Sequence, residues 1–431
     1  MHRHSIYGVL ALILVFVLAA CQASASPSAS ESEAPPSEAP SEAAGPSGEP
    51  IVVGSTLSLT GGFAATAGLH NIAGELFVEQ LNETTGLLGR PVEWMLLDDE
   101  SVQDNIGPLY DRLITQEAVD LIIGPYATPN IVAAMGAAER HGFVLPQHTA
   151  VHAPLMAYDC QFPAWSLGPH PNVFMPNELL DALESLDNPP ASIAVVTNQG
   201  GSTDFITRGL ADVDNDPGLL TIAAERGIEV LADIPYPPGT SEWGAIAQQV
   251  ASADADAVIM NSLGIESAGL IEAMEQLSYR PPIMFSLFPA PGPLLGLGEA
   301  SAGHLSVSVF EPNEPILEAM GDDVRAIVEE FQSRAEEAGL PYTVFETQAA
   351  SSWTAWEILA SGVEAAGSLD QAEICDALHE SGADTTFHGH LAFNVDDNNF
   401  WPSDQGIKQI QDGDWVMVWP EAIAAGELQG P

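Results

Sequence analysis

Ile51-Val52-Val53-Gly54-Ser55-Thr56-Leu57, continuing into Ser58-Leu59-Thr60-Gly61-Gly62, is the stretch on which the fold turns. Seven apolar and small residues without in-out alternation read as a strand covered on both faces. The Gly61-Gly62 turn leads into a segment whose apolar residues Leu69, Ile72, Ala73, Leu76, Phe77 and Leu81 fall at helical spacing. A doubly covered strand followed by an amphipathic helix begins a parallel β-α-β unit. The alternation persists: strand Val92 to Leu97 ending in Asp98-Asp99-Glu100, helix Ile106 to Ile114, strand Val119 to Ile123 closed by Gly124-Pro125, helix Asn130 to His141, and strand Phe143 to Leu145. After an aromatic-rich stretch, Tyr158 to Trp165, a second series runs through strands at Ser192 to Thr197, Gly227 to Ile234, Ala257 to Met260 and Pro282 to Ser286, with helices between them. Helices are expected at Pro315 to Gly339, Thr347 to Gly367 and Leu369 to Ser381, and Asp412-Gly413 marks a closing hairpin. The expected class is α/β, with two doubly wound parallel-sheet lobes.

Charge narrows the partners. The 431 residues carry 60 acidic and 10 basic side chains, a formal charge of -50, and Lys408 is the single lysine. No basic stripe exists to neutralise phosphates, which excludes nucleic-acid binding, and no Lys/Arg cluster exists to dock on anionic lipid. Membrane attachment therefore has to be covalent or hydrophobic. The hydrophobic fraction of 46% supplies ample core material, so the chain is not a disordered acidic polymer.

The N-terminus indicates the compartment. Met1-His2-Arg3-His4 precedes an uncharged apolar run from Ile6 to Leu18, which reads as a secretory signal over residues 1–20 and is short of the ~20 apolar residues of a spanning helix. Leu18-Ala19-Ala20-Cys21 resembles the lipobox of bacterial lipoproteins, which implies a lipidated Cys21. Residues 21–49 then form an Ala/Ser/Pro/Glu tether that cannot bury enough surface to order itself. Cys160 and Cys375 remain, either paired or as buried thiols; spacing alone decides neither.

From Pro50 onward the chain resembles the type I periplasmic binding proteins of ABC importers, the leucine/isoleucine/valine-binding family in its lipoprotein form. The resemblance rests on Val53 to Gly62, on Asn82-Glu83-Thr84-Thr85-Gly86-Leu87-Leu88-Gly89-Arg90 before a strand ending in Asp98-Asp99, on Ile122-Ile123-Gly124-Pro125-Tyr126, and on the close around Val416-Met417-Val418-Trp419-Pro420. It implies two lobes joined by three crossovers, 51–163 with 288–385 as lobe I and 164–287 with 386–431 as lobe II, with ligand held between them. Open α/β sheets bind beyond the carboxyl ends of their strands. On that footing the expected ligand-binding residues are Phe63, Tyr126, Ala127, Thr128, His148, Thr149, Ala150, Trp165, Ser202 and Leu263. Thr128 or Ala127 matches the hydroxyl position that meets an α-carboxylate in relatives, though Thr128 reads equally as a helix N-cap. The sequence departs from amino-acid-binding relatives at three points: Val151 stands where a threonine is usual, Gly200-Gly201-Ser202-Thr203 replaces an aromatic wall that Trp165 would have to supply, and Leu287-Phe288 stands where an acid holds the ammonium group.

Catalytic and metal readings are weak. There is no G-x-S-x-G, H-E-x-x-H or P-loop. His388-Gly389-His390 lacks a third ligand, and Asp212-Val213-Asp214-Asn215-Asp216 lacks the glycine and bidentate glutamate of a calcium loop. Trp353 and Trp356 read as core. The expectation is a non-enzymatic, cofactor-free, monomeric lipoprotein, lipid-anchored at the cell membrane and extracytoplasmic, in the periplasm or on the outer face of a bacterial membrane, delivering a small amino-acid-like, amide or monocarboxylate solute to an ABC permease and ATPase. A ligand sensor of the same fold feeding a signalling partner is the alternative.

Overall fold

Strand β1 (Ile51–Leu57) is buried almost throughout because it lies centrally, between β2 (Val92–Asp98) and the short β3 (Leu121–Ile122), parallel to both. This computed structural model describes residues 45–431 apart from 211–215 and 404, so the signal segment, Cys21 and nearly all of the tether lie outside the described residues. Gly54 lets the helix Gln103–Thr115 approach β1, since a Cβ there would sit 3.0–3.2 Å from Val119 and Leu113. Strand β4 (Leu145–Gln147) pairs in parallel with β5 (Gln161–Pro163), and Gly124 N–H donates to Pro146 O at 2.8 Å, which links that pair to the segment after β3. Helices Ala64–Glu83 and Thr347–Ala366 pack on this lobe through edge-on rings, Phe77 with Trp353 at 5.1 Å and Trp94 with Trp356 at 5.4 Å. Trp353 and Trp356 are core residues.

The second lobe is built on β6 (Ser192–Asn198), β7 (Glu229–Tyr236), β8 (Ala257–Gly264), β9 (Ile283–Pro289) and β10 (Leu305–Ser308). The chain returns to lobe I for the small hairpin β11 (Ala383–Thr385) and β12 (Gly389–Leu391), then adds β13 (Gly406–Gln411) and β14 (Asp414–Trp419) to the second sheet. Its strand order is β14-β13-β10-β9-β8-β6-β7, with β6 to β10 parallel and β13 antiparallel to β10. Asp412 and Gly413 turn the last hairpin with φ of 53° and 91°, as a two-residue turn of this hand requires.

Sheet membership shifts two of the expected lobe boundaries. Residues 288–308 belong with lobe II, because β10 pairs with β9; the Gly/Pro-rich run before it hides so short a strand. Residues 386–401 belong with lobe I, where Leu391, Phe393 and Trp401 join its core. The crossings therefore fall after Pro163, at Val309, which packs against both cores, and between Trp401 and Gly406. Two of them are tied to each other: Trp165 Nε1 donates to Gln405 Oε1 at 3.0 Å, Ser166 Oγ to Trp401 O at 2.5 Å, and Trp401 Nε1 to Pro163 O at 3.0 Å. The expected helix Pro315 to Gly339 is two helices, Glu314–Met320 and Asp322–Glu337, broken at Gly321 where φ is 97°.

Cys160 and Cys375 form a disulfide, with Cα atoms 5.5 Å apart, that fastens the entry to β5 to the helix Gln371–Ser381. Arginines meet carboxylates at the surface, as Arg140 does with Asp111 at 2.9 Å and Arg226 with Asp181 at 2.6 Å. Lys408 does not. On β13 it is buried with its ammonium 2.5 Å from Glu311 and 3.7 Å from Glu346, over the Trp415 ring at 4.7 Å. Glu311 lies in the second crossing and Glu346 caps the lobe I helix Thr347–Ala366, so one ammonium joins both lobes and the hinge.

Candidate functional site

The loop after β1 is shaped by the acidic end of β2. Asp98 accepts from Leu59 N–H at 3.0 Å, Thr60 N–H at 3.2 Å and Thr60 Oγ at 2.8 Å. Asp99, fully buried, accepts from Ser58 Oγ at 2.6 Å and Ser101 N–H at 3.0 Å. Ser101 Oγ donates to Thr60 O and accepts Phe63 N–H at 3.1 Å. Gly61, at φ 88°, closes this knot, since a Cβ there would lie 2.6 Å from Ser101 Oγ. The loop thereby presents the Phe63 ring, edge-on to Tyr126 at 5.8 Å.

Tyr126-Ala127-Thr128 follows β3. Ala127 takes φ 73°, a left-handed conformation that disfavours a side chain, and its N–H donates to Thr149 Oγ at 3.2 Å. Thr149 keeps its own hydroxyl proton to donate. Behind Tyr126 lie two stacked imidazoles, His70 and His148, 4.7 Å apart, with His70 5.0 Å from the Tyr126 ring. His70 Nε2 meets Gln348 Oε1 at 3.1 Å, whereas neither ring nitrogen of His148 has a hydrogen-bond partner. Burial pushes His70 down to about 4 and His148 well below the ordinary histidine value, so both are neutral. Burial likewise pushes the Tyr126 hydroxyl up to about 12.

On lobe II one carboxylate organises the wall. Glu266 accepts from Asn198 Nδ2 at 2.7 and 3.0 Å, from Tyr236 OH at 2.8 Å and from Leu263 N–H at 3.0 Å, tying the ends of β6, β7 and β8 together. Asn198 Oδ1 in turn accepts Gly200 N–H at 2.7 Å. Trp165, in the first crossing, stands at 88° to Phe288 with ring centres 5.6 Å apart.

These loops enclose a cleft of about 520 Å³. It lies at the carboxyl ends of the strands of both lobes, where open α/β sheets bind ligands. Of the residues expected from sequence, Phe63, Tyr126, Ala127, Thr128, Thr149, Trp165, Ser202 and Leu263 line it together. His148 and Ala150 do not: both are buried behind the wall, His148 in the imidazole stack and Ala150 in the lobe I core. Sequence reasoning missed Gln103, Asn198, Pro238 and Gln348. Gln103, Asn198 and Pro238 stand at or just beyond strand ends, the signal that could have found them; Gln348 enters from the helix Thr347–Ala366 and had none. No Asp, Glu, Lys, Arg or His is among the described residues lining the cleft. A smaller cavity, about 370 Å³, lies at the opposite ends of β9 and β10. Among the described residues no cluster of His, Cys, Asp or Glu could hold a metal ion, while most of Asp212 to Asp216 lies outside them.

Comparison with known proteins agrees with this architecture. The family model described as "Periplasmic binding protein" matches residues 50–404. The fold is similar to the leucine-binding protein LivK of Thermotoga maritima (18% identical, TM-score 0.67, 85% of this chain and 97% of that one). It is also similar to a solute-binding protein of R. palustris solved with benzoate (19%, 0.67, 87% and 99%) and to LivJ of Streptococcus pneumoniae solved with isoleucine (16%, 0.68, 85% and 98%). A curated relative, the chemotactic signal transduction substrate-binding protein BasB of Halobacterium salinarum, is 27% identical over 247 residues. The chain spans about half the length of that relative, 56%, and the match takes in 56% of this chain.

Proposed function

The chain belongs to the periplasmic binding protein family, and from that premise we propose that it is an extracytoplasmic receptor that catalyses no reaction, holds one small solute between its lobes and hands it to an ABC permease and ATPase. The observation that carries this reading is the cleft itself. Loops from both lobes line one cavity large enough for a small solute, and the three crossings between the lobes can act as a hinge. Lipidation at Cys21 and the following tether hold the receptor at the outer membrane face. No helix among the described residues is long and apolar enough to cross a membrane. The solute is small, amino-acid-like, an amide or a monocarboxylate, in keeping with the isoleucine and benzoate held by two proteins of the same fold.

A thermal-shift screen over these classes, followed by small-angle scattering with the best hit, tests the reading. A stabilising solute that also shrinks the radius of gyration is the expected result. No stabilising solute and no closure would overturn it. Sensing is the second reading, favoured by the Halobacterium relative, which is a chemotactic signal transduction substrate-binding protein. A partner pull-down that recovers a receptor kinase or transducer instead of a permease would select it.

A further inference from the structure

We propose that the solute carries a quaternary ammonium group, held in an aromatic box made of Phe63 and Tyr126 from lobe I with Trp165 and Phe288 from the other wall. This deepens the receptor reading and rests on the same cleft.

Each pair is already a corner. Phe63 and Tyr126 stand at 78° to one another and Trp165 and Phe288 at 88°, each an edge-to-face pair, and all four residues line the one cavity. Ring faces attract cations through their quadrupole, most strongly when water is excluded. The chemistry of the rest of the lining selects among cations. A primary ammonium brings three N–H donors that each need an acceptor and is best held by a carboxylate, and no carboxylate is among the described residues lining the cleft. A quaternary ammonium has no N–H to satisfy and needs only polarisable surface and a favourable field.

The field is supplied from behind the walls. Glu266 sits one hydrogen bond behind Asn198 and Leu263, and Glu346 accepts Gln348 N–H at 3.0 Å beside the cleft. The Lys408, Glu311 and Glu346 group sets one ammonium beside two carboxyl groups. At long range the formal charge of -50 raises the local concentration of cations and opposes anions. Within the solute classes proposed above this favours the amino-acid-like one, because an aromatic monocarboxylate would find the same rings but no cationic side chain among the described residues lining the cleft, and an adverse field.

The test compares isosteres by calorimetry on the full chain. Tetramethylammonium, trimethylglycine and choline are titrated beside 3,3-dimethylbutanol, the uncharged carbon isostere of choline, with leucine and benzoate as further arms. Choline or trimethylglycine is expected to bind at least about ten-fold more tightly than the neutral isostere. Phe63→Leu and Phe288→Leu, which keep apolar bulk and remove a ring face, are expected to lose about five-fold each for the cation and little for the isostere, with far-UV circular dichroism unchanged. Equal affinity for cation and isostere overturns the box. Binding of leucine or benzoate without any quaternary ammonium overturns the box and leaves the receptor reading standing, whereas silence from every solute overturns both.

Discussion

Replacing Lys408 by methionine isolates what the buried ammonium does for the hinge. The substitution keeps the stem and removes the charge, leaving Glu311 and Glu346, 1% and 2% exposed, without a counter-ion. Ser308 Oγ still donates to Glu311 at 2.8 Å and Gln348 N–H to Glu346 at 3.0 Å, so each carboxylate retains a hydrogen bond but not neutralisation. Breaking a buried pair in this way costs about 3–5 kcal/mol. For a chain of this size that lowers Tm by roughly 5 °C. The pH dependence gives a sharper signature. Burial pushes the Glu346 carboxyl up to about 7; Lys408 pulls it down and Glu311 pushes it further up. Because the folded value lies above the unfolded one of 4.5, the native state holds more protons between them, and this group's stabilisation, full below 4.5, is lost as pH rises through 7. Without Lys408 the window extends upward, so the deficit of Lys408→Met is larger at pH 8 than at pH 5. Scanning calorimetry at both values measures it, and the triple variant with Glu311→Gln and Glu346→Gln should recover much of the loss. A single variant melting within about 1 °C of the parent at pH 8, or a deficit that grows on acidification, refutes the reasoning.

Reducing the Cys160–Cys375 disulfide, which closes a loop of 215 residues, should cost about 5 kcal/mol at most, read as a fall in Tm with dithiothreitol that Cys160→Ser/Cys375→Ser reproduces without it. Molar sodium chloride should raise Tm by screening like charges, and an unchanged or lower Tm counts against a repulsive surface. His148→Phe should flatten acid denaturation: His148 and His70 titrate below their unfolded value of 6.5, so the stability they carry is present above 6.5 and drains as pH falls toward 4. Urea midpoints at pH 7 and pH 4.5 measure it, and an unaltered difference between the two would show that the imidazole stack has no share in acid sensitivity.

The parallel lobes were legible because buried strands such as Ile51–Leu57 and Ala257–Gly264 announce themselves as apolar runs. Strands of three or four residues, Gln161–Pro163 and Leu305–Ser308, carry too few side chains for any period to show, and the lobe boundary near residue 288 was misplaced with the second of them. Within the cleft, loops after strands were legible as loops, which brought in Phe63, Tyr126 and Thr149. Which neighbour in a loop faces the ligand was not: His148 precedes Thr149 in sequence yet packs on His70, a partner 78 positions away that no local pattern reveals. The Glu266 knot escaped for the same reason, since it joins the ends of three strands whose proximity exists only after folding.

The burial of Lys408 makes the chain its own reporter. It holds the one side-chain amine in the sequence, sealed at 3% exposure where both lobes and the second crossing converge. An acylating reagent can mark that amine only when the crossing opens, so the rate at which the tag appears on the peptide that carries Lys408 follows hinge opening. A solute that holds the lobes together should slow that clock, and no engineered label is needed to read it.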